Sequence, residues 1–97
     1  MKEPVVESSG NVFVDLGFES AEAAILQMRA KLISDLRAYV AASGMTQAQA
    51  AEKLGIAQSR VSDLIRGKWE KFNLDMLITL EARLGRMVTL ELASARA

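Results

Sequence analysis

The stretch Thr46-Gln-Ala-Gln-Ala-Ala-Glu-Lys-Leu-Gly-Ile-Ala-Gln-Ser-Arg-Val-Ser-Asp-Leu-Ile-Arg-Gly67 carries two short helical patterns joined by a few residues. Thr46 followed three residues later by Gln49 is a capping box, in which each side chain satisfies a backbone N–H that the helix start leaves open. This first helix is expected to stop before Gly55, and a second to start near Ala57 or Gln58 and end at Gly67. Helices joined by so short a turn cross steeply, so the contact positions need particular sizes. Ala51 is the expected small residue where the helix bodies meet, and Gly55 supplies a positive φ. Ile56 fills the turn, while Val61, Leu64 and Ile65 make the apolar face of the second helix.

Outward from this pair, Ser20 is the expected N-cap of a long helix with Glu22 in its first turn. Its apolar positions are Ile25, Met28, Leu32, Leu36 and Tyr39, widened by Ile33 and Val40, and Ser43-Gly44 closes it. On the other side, Asn73 caps a helix with Leu74, Leu77, Ile78 and Leu84 on one side, ended by Gly85. Val12, Val14 and Leu16 alternate with Phe13 and Asp15, the mark of a short strand. Val88, Leu90 and Leu92 likewise alternate with Met87, Thr89 and Glu91. A strand must satisfy its backbone, so the last is expected to pair with the first, with its equivalent in a second copy, or with both. Met28, Met76 and Met87 read as core or interface filler. The expectation is a mainly α fold of four to five helices with short flanking strands over residues 11–92, between tails at 1–10 and 93–97.

Composition narrows the chemistry. The 97 residues carry 12 Lys+Arg against 12 Asp+Glu, with no His and no Cys. That excludes zinc fingers, imidazole-ligated metals, Ser-His-Asp triads and thiol nucleophiles. No carboxylate cluster suggests an all-oxygen metal site, so neither metal nor cofactor is expected. Glu19 and Glu22 stand together on a first helical turn without an imidazole, a thiol or a Gly-rich loop nearby, and no enzyme is expected. No stretch reads as a signal peptide or membrane span, which is compatible with a cytoplasmic protein. Charge is uneven along the chain: residues 1–28 sum to −4 and residues 53–71 to +3. A solvated surface accounts for either cluster taken alone.

The 22 residues from Thr46 to Gly67 resemble the helix-turn-helix of the phage-repressor (Xre-like) family, matching without a gap at Thr46, Gln47, Ala51, Leu54, Gly55, Ile56, Ser59, Val61, Ser62, Leu64 and Gly67. Residues 11–92, from Asn11-Val-Phe-Val-Asp-Leu-Gly-Phe18 through Phe72-Asn-Leu-Asp-Met-Leu77 to the last strand, are similar to HigA-like antitoxins of toxin–antitoxin operons. The resemblance implies a lambda-repressor-like DNA-binding domain whose second helix enters the major groove. Gln58, Ser59, Arg60 and Ser62 would then read bases, Gln pairing with adenine and Arg with guanine. Gln47 would bind a phosphate and brace Gln58, and Arg66, Lys68 and Lys71 would hold flanking phosphates. Asp63 repels phosphate unless it pairs with Arg60 or Arg66 or accepts from cytosine; Trp69 packs under a loop or stacks at the DNA backbone.

One recognition helix makes few contacts, and a homodimer doubles them. Twofold pairing places the two helices about 34 Å apart, one turn of B-DNA, and implies a palindromic operator in double-stranded DNA. The HigA-like resemblance implies a second partner, a basic RelE-like ribonuclease toxin, toward which the acidic N-terminal portion would steer. A regulator without a toxin, and an interaction module that keeps the fold without touching DNA, stand as alternatives.

Overall fold

The structure, a computed structural model, describes residues 16–17 and 19–93. It contains four α-helices: α1 (Ser20–Ser43), α2 (Gln47–Leu54), α3 (Gln58–Ile65) and α4 (Leu74–Arg83), with a 3-10 turn at Trp69–Lys71 between the last two. The punctuation follows the side chains that set it. The capping box forms as expected: the Gln49 N–H donates to Thr46 Oγ1 at 3.1 Å and the Thr46 N–H to Gln49 Oε1 at 3.0 Å. Asn73 caps α4 by accepting from the Met76 N–H at 2.8 Å. Glu19, not Ser20, occupies the N-cap position of α1, and it makes no side-chain capping bond.

The long helix α1 forms the floor against which the other elements pack. The main core gathers Ile33 and Leu36 of α1, Leu54 at the end of α2, Leu64 near the end of α3, Phe72, and Leu77 and Leu80 of α4. Val40, Ala50 and Val61 form a smaller cluster where α2 and α3 meet the end of α1. The helix pair is therefore fixed twice, at its crossing and at the C-terminal end of each member. Burying a leucine contributes roughly 1.5–3 kcal/mol, so Leu54 and Leu64 alone outweigh any single cap.

Several expected contacts are rotated. The buried face of α1 is Ala23, Leu26, Ile33, Leu36 and Val40, leaving Ile25 and Met28 exposed. Two apolar arcs with the same 3–4 spacing lie side by side on α1, and spacing alone does not say which one the other helices cover. Ala50 is the fully buried small residue at the crossing, while Ala51 is half-buried beside it. Along α4 the inward positions are Leu77, Leu80 and Glu81, and Ile78 faces out. Met28, Met76 and Met87 are all exposed rather than core.

Neither expected flanking strand is found among the described residues. Most of the first, with the 1–10 tail and residues 94–97, lies outside the described residues. Residues 86–93 are described and form no strand; Met87, Leu90 and Leu92 are exposed. The alternation is present in the sequence, but a strand exists only through a ladder to another strand, and the described residues offer none.

Arg86 ties the start of this segment to α1. Its guanidinium is hydrogen-bonded to Asp35, lies 5.0 Å from the Tyr39 ring centroid, and stands 3.6 Å from Glu81 Oε1. Glu81 is buried, and its second carboxyl oxygen has no hydrogen-bond partner among the described residues. Burial, then the neighbouring Asp35, raises the Glu81 pKa to about 7, against the opposing pull of Arg86.

Candidate nucleic-acid interface

Helix α3 is amphipathic over only two turns. Val61 and Leu64 are fully buried with Ile65 beside them, so Ser59, Ser62 and Arg66, spaced by three and four residues, form a polar stripe on another side, with Gln58 next to its start. Gln58, Ser59 and Arg60 are exposed, while Ser62 is half-buried. The N-cap is Ala57, whose methyl group cannot accept a hydrogen bond. The first helical bonds are those of the Arg60 and Val61 N–H groups to the Ala57 carbonyl, at 2.9 and 3.2 Å. The amides of Gln58 and Ser59 therefore face forward from the helix start, where a helix is partly positive and suited to an anion.

Arg60 Nη1 lies 3.7 Å from Asp63 Oδ2, an i,i+3 pair on the outer surface. Such pairs contribute about 0.2–1 kcal/mol, whereas a bidentate arginine–guanine contact contributes about 1–3 kcal/mol of discrimination. The pair orients Arg60 without withholding it from a base. It also gives Asp63 a cationic neighbour, answering the repulsion that an isolated carboxylate would present to DNA.

The other end of α3 is closed by backbone alone. The Gly67 N–H donates to the Leu64 carbonyl and the Lys68 N–H to the Asp63 carbonyl, both at 3.0 Å, with Gly67 at φ +74°. These are the two bonds of a Schellman motif, which needs the left-handed residue that glycine supplies. Arg66 leaves this turn exposed and Lys68 half-buried. Trp69 then packs against the main core, which is the packing role of its two expected ones. Lys71 is exposed at the far end of the 3-10 turn. Gln47 is the first residue of α2 and is exposed; among the described residues no hydrogen bond joins it to Gln58.

Two arginines absent from the sequence-based set stand at the helix-closing glycines. Arg83 Nη1 donates to the Leu54 carbonyl at 2.7 Å, completing the end of α2 from α4, and a Cβ on Gly55 would meet the same Nη1 at 3.0 Å. Gly55, at φ +72°, is thus required by its backbone and by this close approach. Arg37 Nη1 lies 3.3 Å from the place of a Cβ on Gly67. No local pattern signals either arginine, because each contact joins residues about 30 apart in the chain.

Among the described residues no helix is long and apolar enough to cross a membrane, and no cluster of carboxylates is arranged to hold a metal ion. A family model described as a helix-turn-helix domain matches residues 12–93. No curated protein matches the chain.

Proposed function

The chain belongs to the helix-turn-helix domain family, and on that premise we propose that it is a sequence-specific DNA-binding transcription regulator, acting as a repressor. The observation that carries this reading is the start of α3: an uncapped helix end presenting Gln58, Ser59 and Arg60 to solvent, on a helix whose opposite face is fully buried. Gln58, Ser59, Arg60 and Ser62 read bases from the major groove. Gln47, Arg66, Lys68 and Lys71 set the register by holding phosphates. The Gln47 brace on Gln58 is made only against DNA, since a phosphate fixes the otherwise solvated Gln47.

The regulator works as a homodimer on a palindromic operator. Met87, Leu90 and Leu92, exposed in the single chain, form the seam by pairing with the same segment of a second copy. A charged residue at Leu90, as in Leu90→Lys, then yields monomers by sedimentation; dimers in that variant would move the seam elsewhere.

A finer role, that of a HigA-like antitoxin neutralising a RelE-like ribonuclease toxin, is supported by the likeness of residues 11–92 and by the exposed Glu19 and Glu22 at the start of α1. Co-purification with a small basic protein encoded beside it tests that role. The DNA reading is tested by titrating the chain with a pool of duplexes at rising salt. Binding through Z phosphates falls with log[salt] at a slope near −0.9Z. Absence of duplex binding at low salt would mark the chain as a protein-interaction module instead.

A further inference from the structure

We propose that Arg37, a residue of α1 outside the helix pair, grips the DNA backbone beside the site read by α3, completing a three-cation clamp with Arg66 and Lys68. This rests on the DNA-binding reading above and adds to it a contact that the helix-turn-helix pattern does not contain.

The first ground is position. The Arg37 guanidinium lies against the turn that closes α3, with Nη1 3.3 Å and Cζ 3.9 Å from where a Gly67 Cβ would stand. Arg66 and Lys68 flank that same glycine in the chain. Three cations from two elements therefore stand at one end of the reading helix. The second ground is availability. Arg86 is paired with Asp35 and Glu81, and Arg83 with the Leu54 carbonyl. Arg37 is exposed and joins no ion pair among the described residues.

The third ground is chemical. A guanidinium offers five N–H donors in a planar fork that matches two oxygens of a phosphodiester. The C-terminal end of α3 carries a partial negative charge that attracts the cation and holds it near the turn before any ligand arrives. Gly67 keeps the approach open, because a side chain there would press on the guanidinium as well as strain the backbone at φ +74°. Arg37 is exposed, so its remaining donors face water, which a phosphate can replace.

The test uses the full chain and measures duplex binding by fluorescence anisotropy from 50 to 200 mM salt, with thermal melting alongside. Arg37→Gln is expected to weaken binding several-fold on every duplex alike and to reduce the salt slope by about 0.9 for each Arg37 engaged. Arg37→Lys restores the slope, since it returns the charge without the fork. A purely structural Arg37 predicts a lowered Tm with an unchanged slope, and that result overturns the proposal, as does wild-type affinity and slope in Arg37→Gln. Ethylation interference supplies a phosphate-by-phosphate readout whose pattern a merely destabilised variant would leave unchanged. Loss of wild-type binding on ethylating a phosphate that ceases to matter in Arg37→Gln supports the contact, and the same interference pattern in both chains counts against it. If the wild-type chain binds no duplex at low salt, the DNA reading itself fails, an outcome distinct from all of these.

Discussion

Helices α2 and α3 have the same length, eight residues each, and lie next to each other, yet their ends are treated differently. The start of α2 is closed by a reciprocal capping box and its end by backbone bonds around Gly55, reinforced by an arginine reaching over from α4. The end of α3 is closed by backbone bonds around Gly67, and its start is left bare behind Ala57. Both helices put a leucine in the main core and a small or branched residue at the crossing. The contrast separates two jobs: α3 is held in place entirely by its buried face, so its polar first turn is free of structural duty.

Four measurements probe that contrast, taken from the largest effect downward. Leu54→Ala and Leu64→Ala should each lower stability by about 2–5 kcal/mol in urea unfolding, because both side chains are fully buried in one core. A Leu64→Ala loss below about 1 kcal/mol would mean that α3 is attached more loosely than α2. The next effect belongs to the support behind the pair. Glu81 has a folded pKa near 7 against an ordinary 4.5, so its favourable contribution is complete below pH 4.5 and disappears as the pH rises through 7. The fall is up to roughly 3 kcal/mol, and chemical denaturation across that window should find it in the wild-type chain and not in Glu81→Gln.

Smaller still are the caps. Thr46→Ala should cost about 1 kcal/mol, whereas Ala57→Ser should stabilise by a comparable or lesser amount. The added hydroxyl also engages an amide at the front of α3, so Ala57→Ser is expected to bind duplex DNA more weakly although it melts higher. Equal responses at the two caps would erase the asymmetry. Smallest for stability are Gln58→Ala and Arg60→Ala, expected within about 0.5 kcal/mol of wild type because both residues are exposed. Each should nevertheless lower discrimination between duplex sequences by about 1–3 kcal/mol, and an unchanged preference would remove these residues from the reading set.

What could be read directly from the chain was local. Thr46 with Gln49, Asn73, and the glycines at 44, 55, 67 and 85 mark helix ends through bonds to residues at most a few positions away, and the structure places the ends there within a residue or two. The polar first turn of α3 was legible for the same reason. The burial phase of α1 was not, since Ile25 and Leu26 are adjacent apolar residues that fit two arcs equally well and only the docking of the later elements chooses between them. Arg37, Arg83 and the Glu81–Arg86–Asp35 group are contacts between distant segments, invisible to any short window. The final strand failed for a related reason: its alternation is intrinsic, but its ladder depends on a partner.

The bond from Arg83 to the Leu54 carbonyl reaches across 29 residues. Residues 46–67 are consequently not a portable cassette: grafted into another host without an equivalent cation, the first helix would end on a carbonyl turned toward an emptied space. Swapping specificity between proteins of this kind is better attempted by transplanting only the exposed first turn of α3, with its native surroundings left intact.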